Sequence, residues 1–112
     1  MLDVFDHVTL RVEDVERSRR FYALALEQLG YGEPYRGGHF FEWEDLSISR
    51  ADEDRPPTRN LHLALLARSS RDQVDEWWKA MTAAGHADDG APGPRPQYAA
   101  DYYGAFVRDP DS

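Results

Sequence analysis

The sequence predicts an α+β domain in which one strand–helix–strands unit is used twice. Two short stretches open alike. DHVTLRV (6–12) and NLHLALLA (60–67) each set a histidine at the mouth of an apolar run. Each is followed by a segment with apolar residues at helical spacing that stops at a glycine. One constant offset aligns His7 with His62, Tyr22 with Trp77, Leu26 with Met81 and Gly30 with Gly85. Register kept through a strand, a helix and its stop is the mark of an internal duplication.

The elements follow in order. Over residues 7–12, Val8, Leu10 and Val12 alternate with His7, Thr9 and Arg11, the pattern of a half-buried strand. A helix follows, with Val15, Tyr22, Leu26 and Leu29 as its stripe, Asp14 as N-cap and Gly30 at its C-terminal end. EPYRG is a short strand or turn, GGHFFEWED a strand reached through a glycine turn, and LSISRAD a further strand. In the last of these Leu46 and Ile48 take one face and Ser47 and Ser49 the other. ADEDRPPTR (51–59) is a polar, proline-bearing linker. The second half predicts a strand over NLHLALLA with Leu61, Leu63 and Leu65 on one face and His62, Ala64 and Leu66 on the other. A helix over SSRDQVDEWWKAMTAAGH is capped by Ser69 or Ser70, striped by Val74, Trp77, Met81 and Ala84, and ended by Gly85. DDGAPGPRP reads as a rigid loop and DYYGAFVRD as a closing strand.

Composition narrows the classes of function. The chain of 112 residues suits one domain, and 41% hydrophobic residues suit a packed core. There is no cysteine, so disulfides and thiolate metal sites are excluded; this fits a reducing cytoplasm. A net charge of −8 opposes binding to a phosphate backbone, so nucleic acid is not an expected partner. No apolar stretch is long enough to span a membrane, and the start lacks the pattern of a signal peptide, so no membrane partner is expected. Hydrolase chemistry finds no G-x-S-x-G elbow or serine–histidine–aspartate order to rest on.

Four segments carry a resemblance to the vicinal oxygen chelate superfamily, which holds glyoxalase I, bleomycin-resistance proteins, fosfomycin-resistance enzymes and extradiol dioxygenases. They are DHVTLRVEDVERSRRFYALALEQLGY, NLHLALLARSSRDQVDEWWKAMTAAGH, DDGAPGPRPQYAADYYGAFV and the terminal RDPDS. The resemblance implies a single domain of paired βαββ modules, residues 1–55 and 58–112, forming a cupped mixed sheet with helices outside. It implies that His7 and His62 face the cup and hold a divalent metal, with iron, zinc, nickel, cobalt and manganese all suited to neutral imidazole; a metal-free site is the alternative. The fourth-strand glutamate of glyoxalase I falls at or near Ser47, a weak ligand. Relatives run on from DPD into a strand bearing the last glutamate, and this sequence stops at Ser112. A continuation with that glutamate would give two histidines and one carboxylate, the facial triad of non-haem iron oxygenases.

The function implied is action on a small molecule, as a metal-dependent lyase or ring-cleaving dioxygenase, or else metal-free binding of a small molecule such as a drug. A homodimer is the expected assembly. Several side chains are candidates for ligand contact. Thr9 and Arg11 share the polar face with His7, and Arg11 suits a substrate carboxylate. Alternation places Phe41 and Trp43 on the side of His39, facing the cavity, and Glu42 and Glu44 on the opposite face. Tyr98 and Tyr103 are assigned to the pocket and Tyr102 to the core, while one of Trp77 and Trp78 belongs to the core and the other to a dimer contact.

Overall fold

A computed structural model describes residues 4–111. In chain order the elements are β1 (Val8–Val12), α1 (Val15–Glu27), β2 (Tyr35–Arg36), β3 (Phe40–Trp43), β4 (Leu46–Arg50), α2 (Arg71–Ala83), β5 (Asp88–Pro94) and β6 (Tyr103–Val107). The fold is mixed α+β, as the alternation of periods predicts. Four strands form one sheet in the order β1-β4-β3-β2, and β5 and β6 form a second. β1 runs parallel to β4, which requires a crossover, and α1 supplies it. β3 and β4 are antiparallel, joined by Glu44 and Asp45, with Glu44 held at φ 48. No helix among the described residues is long and apolar enough to cross a membrane.

Local chemistry sets the helix limits. The Asp14 carboxylate accepts the amide of Arg17 at 3.1 Å at the start of α1. Ser70, not Ser69, caps α2, its hydroxyl accepting the amide of Gln73 at 3.4 Å. Gly30 and Gly85 end the two helices at φ 97 and 96, conformations that favour glycine. The core joins Leu10 and Val12 of β1, Phe21, Tyr22, Ala25 and Leu26 of α1, Phe41, Trp43, Leu46 and Ile48 of the sheet, and Met81 of α2. Trp77 packs against this cluster and donates its indole N–H to the Ala25 carbonyl at 3.0 Å, fastening one helix to the other. Trp78 instead donates to Asp88 at 3.0 Å.

Two expectations for the second half do not hold. Residues 60–67 form no strand, and Leu61 and Leu63 are exposed while Leu65 reaches the core. Alternation supplies the side-chain pattern of a strand but not the ladder partner that makes one. β1 has that partner in β4, and no described strand plays the same part for 60–67. The stretch DDGAPGPRP is not a loop; most of it is β5, paired antiparallel with β6. Its prolines are accommodated because β5 is an edge strand with register shifts between Asp88 and Gly90 and between Gly90 and Gly93.

Candidate functional site

The two faces of the four-stranded sheet differ in character. Leu10, Val12, Phe41, Trp43, Leu46 and Ile48 point into the core beneath α1. The alternate residues of the same strands must then face away. Strand register sets them in two rows. Thr9 lies opposite Ser47, and Ser47 opposite Glu42; Arg11 lies opposite Ser49, and Ser49 opposite Phe40. Together with His7 they line a hollow of about 240 Å³.

Hydrogen bonds hold this floor in place. The Thr9 and Ser47 hydroxyls share a hydrogen bond of 2.8 Å. The Arg11 guanidinium donates to Ser49 Oγ at 3.2 Å. The backbone of Arg11 is pinned from the linker: its N–H donates to Thr58 Oγ1 at 2.9 Å, and its carbonyl accepts the Thr58 N–H at 2.8 Å. His7 Nδ1 donates to Asp6 Oδ1 at 2.8 Å. That bond, the charge of Asp6 and, more weakly, the charge of Glu42 raise the His7 pKa above its ordinary value. The hollow thus offers one guanidinium, one carboxylate, one imidazole with a raised pKa, three hydroxyls' worth of donor and acceptor capacity, and one phenyl ring.

His7, Thr9 and Arg11 are brought together as the sequence suggests. Trp43 is not with them. The phase of β3 is the reverse of the one expected: Phe41 and Trp43 are 3% and 4% exposed in the core, and Phe40 and Glu42 face the hollow. Burying two large aromatic rings against α1 outweighs any benefit of turning them outward. His39 lies exposed before β3, its carbonyl accepting the Arg50 amide. His62 lies elsewhere, edge-on to the rings of Phe106 and Tyr98 at centroid distances of 5.8 and 6.4 Å. Tyr98 is half exposed and packs on Tyr102. Tyr103, expected in the pocket, turns to α2: its hydroxyl donates to Asp75 at 2.6 Å and Arg71 lies over its ring. Tyr102, expected in the core, is 37% exposed. Phe40, Glu42 and Ser49 were not among the residues the sequence assigned to the site. The pair of serines alternating with Leu46 and Ile48 was the available signal, since it marks which side of the sheet is wet.

A resident transition-metal ion calls for at least three good nitrogen or oxygen donors. The hollow supplies the His7 imidazole, already tied to Asp6, and the Glu42 carboxylate; the Thr9 and Ser47 hydroxyls are engaged with each other. Among the described residues no group of three or more histidine, aspartate or glutamate side chains is placed to hold a metal ion. By itself, this donor set does not fit a resident ion.

A family model for the Glyoxalase/Bleomycin resistance protein/Dioxygenase superfamily matches residues 4–112. Among solved structures, the chain is similar to a glyoxalase/bleomycin resistance protein from Albidiferax ferrireducens T118. That match has 28% identity and a TM-score of 0.84, covering 97% of this chain and 93% of the other. A glyoxalase-related enzyme from Fulvimarina pelagi shares the fold at 18% identity and TM-score 0.68, with 98% and 83% covered. A glyoxalase/bleomycin resistance protein/dioxygenase from Nocardioides does so at 20% identity and TM-score 0.62, with 99% and 79% covered. No curated protein matches the chain.

Proposed function

This chain belongs to the Glyoxalase/Bleomycin resistance protein/Dioxygenase superfamily, and from that premise we propose that it takes up a small organic molecule on the polar face of β1, β3 and β4. The observation that carries this is the pair of polar rows, Thr9–Ser47–Glu42 and Arg11–Ser49–Phe40, laid over a sheet whose other face carries the core. A rigid sheet presenting aligned donors is a preorganised binding surface, since little ordering is left to be done on binding. Arg11 suits a carboxylate or an enolate-like oxygen. The Thr9 and Ser47 hydroxyls suit a neighbouring oxygen, and the Phe40 ring suits a flat apolar body. His7 is the group able to hold or pass a proton. The ligand class is therefore a small aromatic or unsaturated acid.

The test is a thermal-shift series with benzoate, phthalate and salicylate as probes. At about 100-fold excess over Kd, stabilisation is about 2.7 kcal/mol. The reading predicts a saturable rise in Tm with at least one of these acids, abolished in Arg11→Gln and weakened in Thr9→Val. A rise that survives both substitutions, or none with any of the acids, contradicts it.

A further inference from the structure

A second hollow, of about 400 Å³, lies on the helical side of the molecule and shares no lining residue with the first. Its walls come from α1, from the turn that ends α2 and from the segment after β6. They bring Arg17, Arg20 and Arg108 together with His86, against a single carboxylate, Asp109. Three guanidiniums around one opening are conspicuous in a chain of net charge −8.

Two of the three guanidiniums have a carboxylate partner of their own, and the hollow's lining carboxylate is engaged by other donors. Asp109 accepts the Tyr22 hydroxyl at 2.6 Å through one oxygen and the Asp111 amide at 3.0 Å through the other. Arg17 reaches the buried Asp111 carboxylate only at 3.6 Å, and Arg108 pairs with Asp89 at 3.3 Å. Arg20 makes no ion pair among the described residues. It stands three residues after Arg17 on the same helix, a spacing at which like charges repel. The negative end of α2 does not compensate for these charges. The carbonyls of Ala80, Thr82 and Met81 are already taken by the amides of Ala84, Gly85 and His86 at 3.0–3.1 Å. His86 is half-buried with its ring edge-on to Phe21 at 4.8 Å, which gives the hollow one fixed wall. Guanidinium forks match the oxygens of phosphate and carboxylate groups.

We propose that this hollow binds a compact oxyanion of two or more charges, either a phosphate group or a polycarboxylate, through Arg20, Arg108 and Arg17. Its volume lies within the range of small-molecule sites, so the anion can carry a small organic body. The experiment follows the amide spectrum of the labelled protein during separate titrations with inorganic phosphate and with citrate. Sodium chloride holds ionic strength constant. The expected result is saturable movement of the Arg17, Arg20, His86 and Arg108 amides. Affinity falls about 10-fold or more in Arg20→Gln and in Arg108→Gln, and Arg11→Gln, in the other hollow, leaves the movements of these four amides unchanged. Response to both anions marks a general polyanion site, and response to phosphate alone marks a phosphate site; either supports the proposal. Movements that track chloride equally well, or that persist in Arg20→Gln and Arg108→Gln proteins with wild-type unfolding midpoints, overturn it.

Discussion

Tyr22→Phe removes one atom from the clamp that holds the end of the described chain against α1. The Tyr22 ring is 4% exposed and packs edge-on against Phe21 at 4.9 Å, contacts that phenylalanine keeps. What is lost is the 2.6 Å hydrogen bond from the Tyr22 hydroxyl to the Asp109 carboxylate. Burial, that carboxylate and the charge of Asp111 push the Tyr22 pKa well above its ordinary value, so the hydroxyl is a donor throughout the working range. A hydrogen bond to a charged group is worth about 1.5–3 kcal/mol, and a loss of about 2 kcal/mol is the central expectation. At the lower end of the 4–8 °C per kcal/mol typical of 60–100-residue domains, Tm falls by roughly 8 °C. Urea unfolding followed by tryptophan fluorescence gives the free energy, with an unchanged m-value showing that the unfolded reference is the same. A cycle with Asp109→Asn isolates the pair. A loss under about 0.5 kcal/mol, or strictly additive single and double variants, would refute the clamp.

Three further outcomes follow from the same geometry. Phe41→Ala costs about 3–5 kcal/mol of stability, because the ring is core and not ligand-facing; a fully stable protein with altered ligand binding would contradict the assigned phase of β3. Glu42→Gln lowers the His7 pKa, and Asp6→Asn lowers it further, since Asp6 is the larger cause of the upward shift; the ring-proton titration by NMR reads both. Burial depresses the His86 pKa in the folded state, so the unfolded chain takes up a proton first as pH falls. Its contribution to stability is complete above about pH 6.5 and is lost as pH drops through the depressed folded value. Unfolding midpoints of His86→Gln measured from pH 7.5 to 5 should therefore decline less than those of the wild type.

The first half of the fold was legible because its elements complete one another. Asp14, Gly30 and the Leu10–Val12 and Leu46–Ile48 alternations each predict a local feature, and the β1–β4 pairing satisfies them together. The second half was less so. NLHLALLA has the alternation of a strand, but alternation describes side chains, and a strand also requires a neighbour to bond its backbone. In DDGAPGPRP the prolines and glycines suggest a loop, yet an antiparallel edge with register shifts accepts them. At the site, His7, Thr9 and Arg11 were readable because polar and apolar residues alternate cleanly in β1. β3 misled because FFEW offers apolar residues on both faces, and only the packing of Phe41 and Trp43 against the helix decides which face is dry. Tyr103 went to α2 because Asp75 offered its hydroxyl a partner, a contact between residues distant in sequence.

On the proposed function, ligand lies across the two polar rows of β1, β4 and β3. Amide-shift mapping with salicylate measures this directly. The account predicts saturable changes centred on Thr9, Arg11, Glu42, Ser47 and Ser49, absent in Arg11→Gln. Changes confined to the surroundings of His62, Tyr98 and Phe106, or a spectrum that salicylate leaves unmoved, would contradict it.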